Sequence, residues 1–164
     1  MLSGGSITDY TMTDINFYVG KQDQLDGRLL IACRLAKMAY ERNLHVHIHT
    51  DSENNSQKLD SLLWTQETHS FLPHSLIDSQ LIDSNNKQEQ SNKNELDKIT
   101  LSHEFEPLTN CDYLINLSNL RPSFFSRFKK MAEIIDQDKI ILDAGRERYK
   151  FYRDRGYTLE YHKL

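Results

Sequence analysis

The sequence contains little cysteine, proline and glycine, and it has no long apolar segment. Its two cysteines, Cys33 and Cys111, lie far apart and outside any CxxC or Cys-x-His pattern, which argues against a disulfide framework and a structural zinc site. We expect both to be small buried thiols in a protein of a reducing cytoplasm. No stretch approaches the roughly 18 apolar residues of a membrane-spanning helix, and the first twenty residues lack the basic and apolar regions of a secretory signal.

The six glycines form neither GxGxxG nor GxxxxGK[ST], the two loops that hold phosphates with backbone N–H groups. The sequence therefore predicts no nucleotide-binding loop. It also lacks the GxSxG turn of serine hydrolases, and the surroundings of neither cysteine indicate an activated thiol. We expect no catalytic residue, no metal site and no cofactor.

Three histidines alternate in one short segment, where His45, His47 and His49 would point to the same face of a strand. Three imidazoles on one face could hold Zn²⁺ or Cu²⁺, so a metal-dependent hydrolase is one alternative. Neighbouring side chains on a strand face diverge, however, and no cysteine or carboxylate cluster completes a ligand set. We therefore favour buried histidines with local hydrogen bonds.

The net charge of −4 conceals an uneven distribution of charge along the chain. Residues 1–120 carry 9 Lys and Arg against 17 Asp and Glu, whereas residues 121–155 carry 10 against 6. A basic segment on an acidic protein indicates one face that binds an anionic partner. The chain as a whole is too acidic to coat duplex DNA.

Short apolar segments alternate with helical patterns, which predicts an α/β domain. The β-branched and aromatic segments that predict strands are 15–19, 45–49, 99–101, 113–117 and 157–161, with a shorter candidate at 133–136. Helices are predicted over 26–42, around 53–64 and over about 138–155, the last ending at Gly156. The expected architecture is a single-domain, Rossmann-like three-layer sandwich, with a mainly parallel sheet and helices on both faces.

Three further expectations concern local organisation. Residues 1–13 form a loose leader before a domain of residues 14–164, and either Met1 or Met12 is the natural start. The segment 77–98 is polar enough to predict a mobile insertion. Pro122 predicts the first turn of a helix, one side of which would be lined by Phe124, Phe125, Phe128 and Met131.

The predicted last helix carries the most specific functional pattern. Arg146, Tyr149, Lys150 and Arg153 follow the spacing i, i+3, i+4, i+7 and would form one stripe of cations around a phenol ring. A second stripe beside it would contain Arg148, Tyr152 and Arg155. Such a face suits an acidic peptide with an aromatic end, or single-stranded nucleic acid, and a plain solvated helix is the alternative.

A second candidate surface surrounds the only tryptophan. Trp64, Phe71, Leu72 and Pro73 cluster at a predicted helix exit. They form either ordinary core or an apolar patch on which another protein docks, since Trp and Phe are frequent in interface hot spots.

These segments together resemble the chi subunit family of bacterial DNA polymerase III, over about residues 14–162. The resemblance rests on the order and spacing of FYVG at 17–20, ACRLAKMAY at 32–40, HIHTDSE at 47–53, LDSLLWT at 59–65, SFLPHSL at 70–76, DYLINLS at 112–118 and GRERYKFYRDRGY at 145–157. The chain departs from the family in its longer leader and in the polar stretch 77–98, which replaces a shorter, glycine-richer loop.

The resemblance implies a non-catalytic accessory subunit of a DNA-directed DNA polymerase, in the cytoplasm and monomeric when alone. Chi proteins pair one to one with the psi subunit of the clamp-loader complex, and they bind the acidic C-terminal tail of single-stranded-DNA-binding protein (SSB), which ends in Ile-Pro-Phe. The implied tail site is Arg146, Tyr149, Lys150 and Arg153, with Ile135 as a pocket wall. The implied site for psi, or for an accessory helicase that competes for it, is Trp64, Phe71, Leu72 and Pro73. DNA is then contacted only indirectly.

Overall fold

The computed structural model describes residues 12–21, 23, 25–65, 72–77, 98–107 and 111–164. Within these residues the strands are β1 (Asp14–Val19), β2 (Val46–His49), β3 (His74–Leu76), β4 (Ile99–Ser102), β5 (Tyr113–Asn116), β6 (Lys130–Ile135) and β7 (Leu159–Lys163). The α-helices are α1 (Leu25–Glu41), α2 (Glu53–Thr65) and α3 (Lys139–Asp154).

The described strands form one sheet in the order β3-β4-β2-β5-β6-β1-β7, and every pair is parallel. Parallel neighbours require crossover connections, and the helices that follow β1, β2 and β6 supply three of them. The α/β architecture with a parallel sheet between helical layers is confirmed. The strand β3 was not predicted, because three residues are too few for an alternating pattern.

Two cores lie on opposite faces of the sheet, and β6 shows how one strand serves both. Its residues Ala132 and Ile134 belong to the core beneath α1 and α2, whereas Met131 and Ile135 belong to the core beneath α3. Side chains alternate between faces along a strand, so a strand covered on both sides is apolar almost throughout. This explains why β5 and β6 have near-continuous apolar sequences.

Helix α1 is held close to the sheet by small residues. Ala32, Cys33 and Ala36 are buried in the first core with Leu29. Burial raises the pKa of the Cys33 thiol to about 12, which leaves it protonated and inert. Cys111 is only partly buried, burial raises its thiol pKa as well, and neither of these two described cysteines forms a disulfide.

The prediction of a helix after Pro122 is wrong. Only residues Phe125–Arg127 form a short 3-10 turn, and Met131 lies in β6 instead. Phe124, Phe125 and Phe128 are nevertheless buried in the core beneath α3. The aromatic residues have the spacing of a helix because a short turn places all three rings in the same core.

Helix α3 begins and ends as the sequence indicates. The Oδ1 atom of Asp138 accepts hydrogen bonds from the backbone N–H groups of Ile140 (3.0 Å) and Ile141 (3.3 Å), as an N-cap does. Gly156 has φ +80° and donates its N–H to the Arg153 carbonyl at 3.0 Å. A residue with a side chain would be strained in this left-handed conformation.

The residues at the edges of the predicted leader and insertion are part of the fold. Thr13 is buried and donates its hydroxyl to the Phe128 carbonyl at 2.6 Å. Ile77 is buried and bonds to the Leu101 carbonyl at 2.9 Å, and the Lys98 carbonyl accepts from Val46 at 2.6 Å. The rest of the predicted leader, apart from Met12, and the segment 78–97 lie outside the described residues.

A pair of glycine substitutions tests how closely α3 approaches β6. A Cβ on Gly145 would lie 2.8 Å from the Cγ2 atom of Ile135, whereas a Cβ on Gly27 of α1 would meet nothing within 4 Å. We expect Gly145→Ala to lower the free energy of unfolding by about 1–2 kcal/mol because the helix must shift. Gly27→Ala should raise it by about 0.5 kcal/mol through helix propensity. Urea denaturation measures both, and equal stabilisation by the two variants would contradict close packing at Gly145.

Candidate protein-docking surface on the last helix

Three of the predicted cations form an exposed line on α3, which we call the α3 stripe together with Tyr149. The side chain of Arg146 is 70% exposed and that of Arg153 is 61% exposed, and Lys150 between them is also exposed. Tyr149 is half-buried, and its ring packs edge-on against Phe17 with centroids 5.2 Å apart. The structure therefore places three exposed positive charges beside a half-buried aromatic ring.

Two carboxylates border the α3 stripe. Asp143 lies 3.4 Å from Arg146 one helical turn away, and Asp154 lies 3.3 Å from Arg153. Exposed pairs of this kind contribute about 1 kcal/mol or less each. An anionic ligand would therefore have to displace Asp143 and Asp154 from the two arginines. These carboxylates lower the affinity for the ligand, but they do not prevent its binding.

The second predicted stripe is wrong, because two of its three members face the core. Arg148 and Tyr152 are buried, and both bind the carboxylate of Glu133 on β6, which is fully buried. Arg148 Nε donates to Glu133 at 2.7 Å and the Tyr152 hydroxyl donates to it at 2.9 Å, while Asn116 donates from β5 at 3.0 Å. We call these four residues the Glu133 network.

The Glu133 network holds α3 against the sheet in a single position. Burial raises the pKa of Glu133, and the Arg148 charge with the three hydrogen-bond donors works against that rise. All three partners donate, so the arrangement requires a carboxylate that only accepts. Burial and the neighbouring Glu133 charge raise the pKa of Tyr152, which keeps its hydroxyl a donor. The helix that carries the α3 stripe is therefore held against β6 by these buried hydrogen bonds and the ion pair.

Ile135 lies under α3 rather than beside it. Its side chain is 3% exposed and contacts Gly145 from the end of β6. It therefore presents almost no surface to a ligand in this structure, in contrast to the pocket wall that the family resemblance implied. Its described position is that of a support for the helix turn that carries Arg146.

The predicted patch around Trp64 is only partly at the surface. Trp64 at the end of α2 is 54% exposed, and its ring lies edge-on to His74 at 5.1 Å. Leu72 is buried in the first core, Pro73 is partly exposed, and Phe71 lies outside the described residues. The His74 ring bonds to the Leu72 carbonyl at 2.7 Å and to Asp60 of α2 at 2.9 Å. Trp64 thus stands on a rigid base at the edge of the fold.

In the histidine segment His47 is buried, whereas His45 and His49 are half-buried. His47 and His49 lie on one face of β2, where both rings contact Phe124, and His45 precedes the strand. His47 Nδ1 bonds to the Thr100 hydroxyl at 2.7 Å. Among the described residues, no group of three His, Cys, Asp or Glu side chains is placed to hold a metal ion.

A buried ion pair occupies the crevice where nucleotide-binding folds hold phosphate. That crevice lies between β1 and β6, whose following helices pack on opposite faces of the sheet. Arg28 of α1 donates to Asp136 at 3.0 Å and to the Leu117 carbonyl at 3.2 Å, and Gln137 donates to the Gly20 carbonyl at 3.1 Å. Side chains therefore form hydrogen bonds with one another and with the backbone at this crevice.

Comparison with known proteins identifies the family. A family model described as the DNA polymerase III chi subunit, HolC, matches residues 12–160. This chain belongs to the DNA polymerase III chi subunit family. The chi subunit of Pseudomonas aeruginosa is 32% identical over 153 residues, which cover 93% of this chain and 98% of that protein. The chi subunits of Haemophilus influenzae and Escherichia coli are 28% identical over 129 residues and 24% identical over 157 residues, covering 79% and 90% of this chain and 82% and 96% of those proteins.

Solved structures with the same fold are remote in sequence from this chi-family chain. Domain 2 of the DEAD-box helicase Mss116p, solved with an RNA duplex, superposes with a TM-score of 0.66 at 14% identity. The C-terminal domain of the Sulfolobus solfataricus SWI2/SNF2 ATPase gives 0.51 at 12% identity. The matches cover 92% and 77% of this chain but only 64% and 57% of those structures. The likeness concerns the fold alone.

The buried charges of this chi-family chain escaped sequence analysis. Glu133 sits in an otherwise apolar run, which is the signal that could have marked it as inward-facing, whereas Arg28 follows Asp26 and Gly27 and carries no such signal. Charged residues are almost never fully buried without a partner. No described helix is both long and apolar enough to span a bilayer.

Proposed function

We propose that this chi-family chain is a bridge: the α3 stripe binds the acidic C-terminal tail of SSB, and the Trp64 surface binds the psi subunit of the clamp-loader complex. It performs no catalytic step of its own in this proposal. The observation that supports the tail site most directly is the exposed line Arg146, Lys150 and Arg153 beside the half-buried ring of Tyr149. The two surfaces belong to helices on opposite faces of the sheet.

The chemistry of the tail matches the α3 stripe. Arginine forks bind carboxylates through paired hydrogen bonds, and lysine adds a point charge. The Tyr149 ring offers an apolar contact to the terminal Ile-Pro-Phe, and its packing on Phe17 means that little entropy is lost on binding. Because the cations face water, salt should weaken the complex.

Weak single contacts are sufficient for a bridge of this kind. SSB-coated template presents many tails, so release of one tail is followed by capture of another at high effective concentration. Attachment is then strong overall, yet each contact exchanges quickly. This would keep the clamp loader, through psi, at the lagging-strand template.

The decisive experiment is calorimetric titration with a peptide ending Asp-Asp-Asp-Ile-Pro-Phe. We expect Arg146→Ala to weaken binding about three- to tenfold, the range for an exposed arginine that binds a carboxylate. Asp143→Asn should strengthen it about twofold, because it removes the acid that lies 3.4 Å from Arg146. Calorimetry at low and high salt measures both changes.

The matched control for this titration is Arg34→Ala. Arg34 is an exposed arginine of α1, on the opposite face of the sheet from α3. Its loss removes the same charge without touching the stripe, so tail affinity should not change. Equal weakening by Arg34→Ala and Arg146→Ala would mean that only net charge matters, and that result would remove the stripe from the proposal.

The psi site rests on a separate observation, the exposed Trp64 ring on its rigid base of His74 and Asp60. A large aromatic ring at a fixed position is a typical anchor of a protein interface. Co-elution of this chain with purified psi tests this half of the proposal independently of the tail.

A further inference from the structure

A third feature of α3 lies on the flank of the helix away from Tyr149. The Phe151 ring has a guanidinium group over it at 3.5 Å from Arg121 and another at 3.5 Å from Arg155. Two groups this close to one ring centroid must lie on its opposite faces. Their charges are therefore roughly 7 Å apart, twice the distance of each from the ring. We call Arg121, Phe151 and Arg155 the arginine–phenylalanine stack.

Both arginines of the stack are available to a ligand. Arg121 and Arg155 are exposed, and among the described residues neither forms an ion pair. Phe151 is partly buried against the core, so the ring fixes the stacking faces of both guanidinium groups while their hydrogen-bonding edges stay in water. Leu120, next to Arg121, is 78% exposed and adds an apolar contact.

A line of acids separates the stack from the α3 stripe. At 3.6 residues per turn, Asp143, Glu147 and Asp154 lie between Lys150 and Phe151 around the helix, and all three are exposed. A peptide that follows the stripe would have to cross this negative line to reach the stack. The two sites are therefore separate.

We infer that the arginine–phenylalanine stack is a docking site for an extended acidic peptide with carboxylates at alternate positions. Alternate residues of an extended chain point to the same side about 6.6 Å apart, which matches the spacing of the two guanidinium groups. Each guanidinium edge can bind one carboxylate through two hydrogen bonds. The inference does not depend on the proposed tail site.

The surroundings favour a short acidic peptide over a nucleic-acid strand. Single-stranded nucleic acid binds where aromatic faces are open for base stacking, and both faces of Phe151 are already covered. The neighbouring acids would repel a long polyanion, whereas two carboxylates need to span only the stack.

The test is fluorescence anisotropy on the full chain with two labelled, amidated peptides of the same composition. Gly-Asp-Gly-Asp-Leu-Gly has alternate carboxylates, and Gly-Asp-Asp-Gly-Leu-Gly has adjacent ones. We expect the first to bind at least about threefold more tightly. Arg121→Gln and Arg155→Gln should each weaken it about fivefold, while Arg34→Gln, which removes an exposed arginine of α1 on the other face of the sheet, leaves it unchanged. Phe151→Leu should weaken it less, since both charges remain.

Four results would each overturn the inference. These are equal binding of the two peptides or binding of neither, loss of binding in Arg146→Gln but not in Arg121→Gln, and displacement of the peptide by an oligothymidylate at moderate salt. The last would identify the stack as a nucleic-acid contact. All the substituted arginines are exposed, so the variants should fold.

Discussion

Replacing Glu133 with alanine is expected to lower the free energy of unfolding by about 3–5 kcal/mol, the cost of leaving a buried charge without its partner. In that variant the guanidinium of Arg148, almost wholly buried, loses the carboxylate that lies 2.7 Å from its Nε. The hydroxyl of Tyr152 and the amide of Asn116 lose an acceptor as well. Urea denaturation followed by circular dichroism measures the change.

Two further variants separate the charge from the space it fills. Glu133→Gln keeps the volume and one acceptor oxygen, so its loss should be smaller than that of Glu133→Ala. The double variant Glu133→Leu with Arg148→Met replaces the ion pair by apolar side chains of similar size, and it should recover most of the stability. If Glu133→Ala costs less than about 1 kcal/mol, the Glu133 network does not hold α3.

The Glu133 network also explains why one helix can present its charges so openly. Arg148 and Tyr152 turn inward and bind Glu133, while Arg146, Lys150 and Arg153 lie on the exposed side, where Arg146 and Arg153 form only exposed ion pairs. Exposed ion pairs contribute little to stability, so these cations can bind a partner at small cost to the fold. The stability of the helix and its proposed docking function are thus assigned to different residues of the same sequence segment.

The sheet could be predicted because burial on both faces makes its strands apolar. The strand at residues 15–19 and the helix over 26–42 were placed within a residue of their observed bounds. The last helix, predicted over about 138–155 and ended by Gly156, also lies within a residue of its observed bounds. These features are local, and the sequence around each contains what determines it.

Features that depend on distant partners were predicted poorly. The aromatic run after Pro122 has helical spacing, but its rings are buried by a turn because β6 already occupies Lys130–Ile135. Strand β3 exists only because β4 pairs with it. Arg148 lies only two residues from Arg146 in the same helix, and its inward position depends on Glu133, which belongs to another element.

In the candidate site, too, local features could be predicted and features that depend on distant partners could not. The spacing of the α3 stripe was sufficient to put its four residues on one helix face. The acids that border it and the burial of Ile135 needed the structure, since they depend on how the helix is rotated against the sheet. The arginine–phenylalanine stack joins Arg121 to a helix about thirty positions away, which no local pattern could reveal.

Lowering the pH from 7 to 5 is expected to reduce the free energy of unfolding by about 2–4 kcal/mol through His47 and His49. Burial, with the neighbouring His49, lowers the pKa of His47 to about 3. Burial and His103 lower that of His49 to about 4, against an opposing effect of Asp51. The unfolded chain takes up protons on both rings near pH 6.5, while the folded protein does not. The unfolded state therefore binds more protons in this window, and stability falls as the pH falls.

The histidine origin of this pH dependence can be isolated with His47→Leu. The substitution removes a ring whose Nε2 has no hydrogen-bond partner among the described residues, although the Thr100 hydroxyl loses its bond to Nδ1. The variant should lose less stability between pH 7 and pH 5 than the natural chain, by about half of the total effect, whatever its stability at pH 7. Urea denaturation at pH 7, 6 and 5 gives both slopes. The same slope in both proteins would show that His47 takes up its proton in the folded state, and the ring would then have to reach water despite its burial.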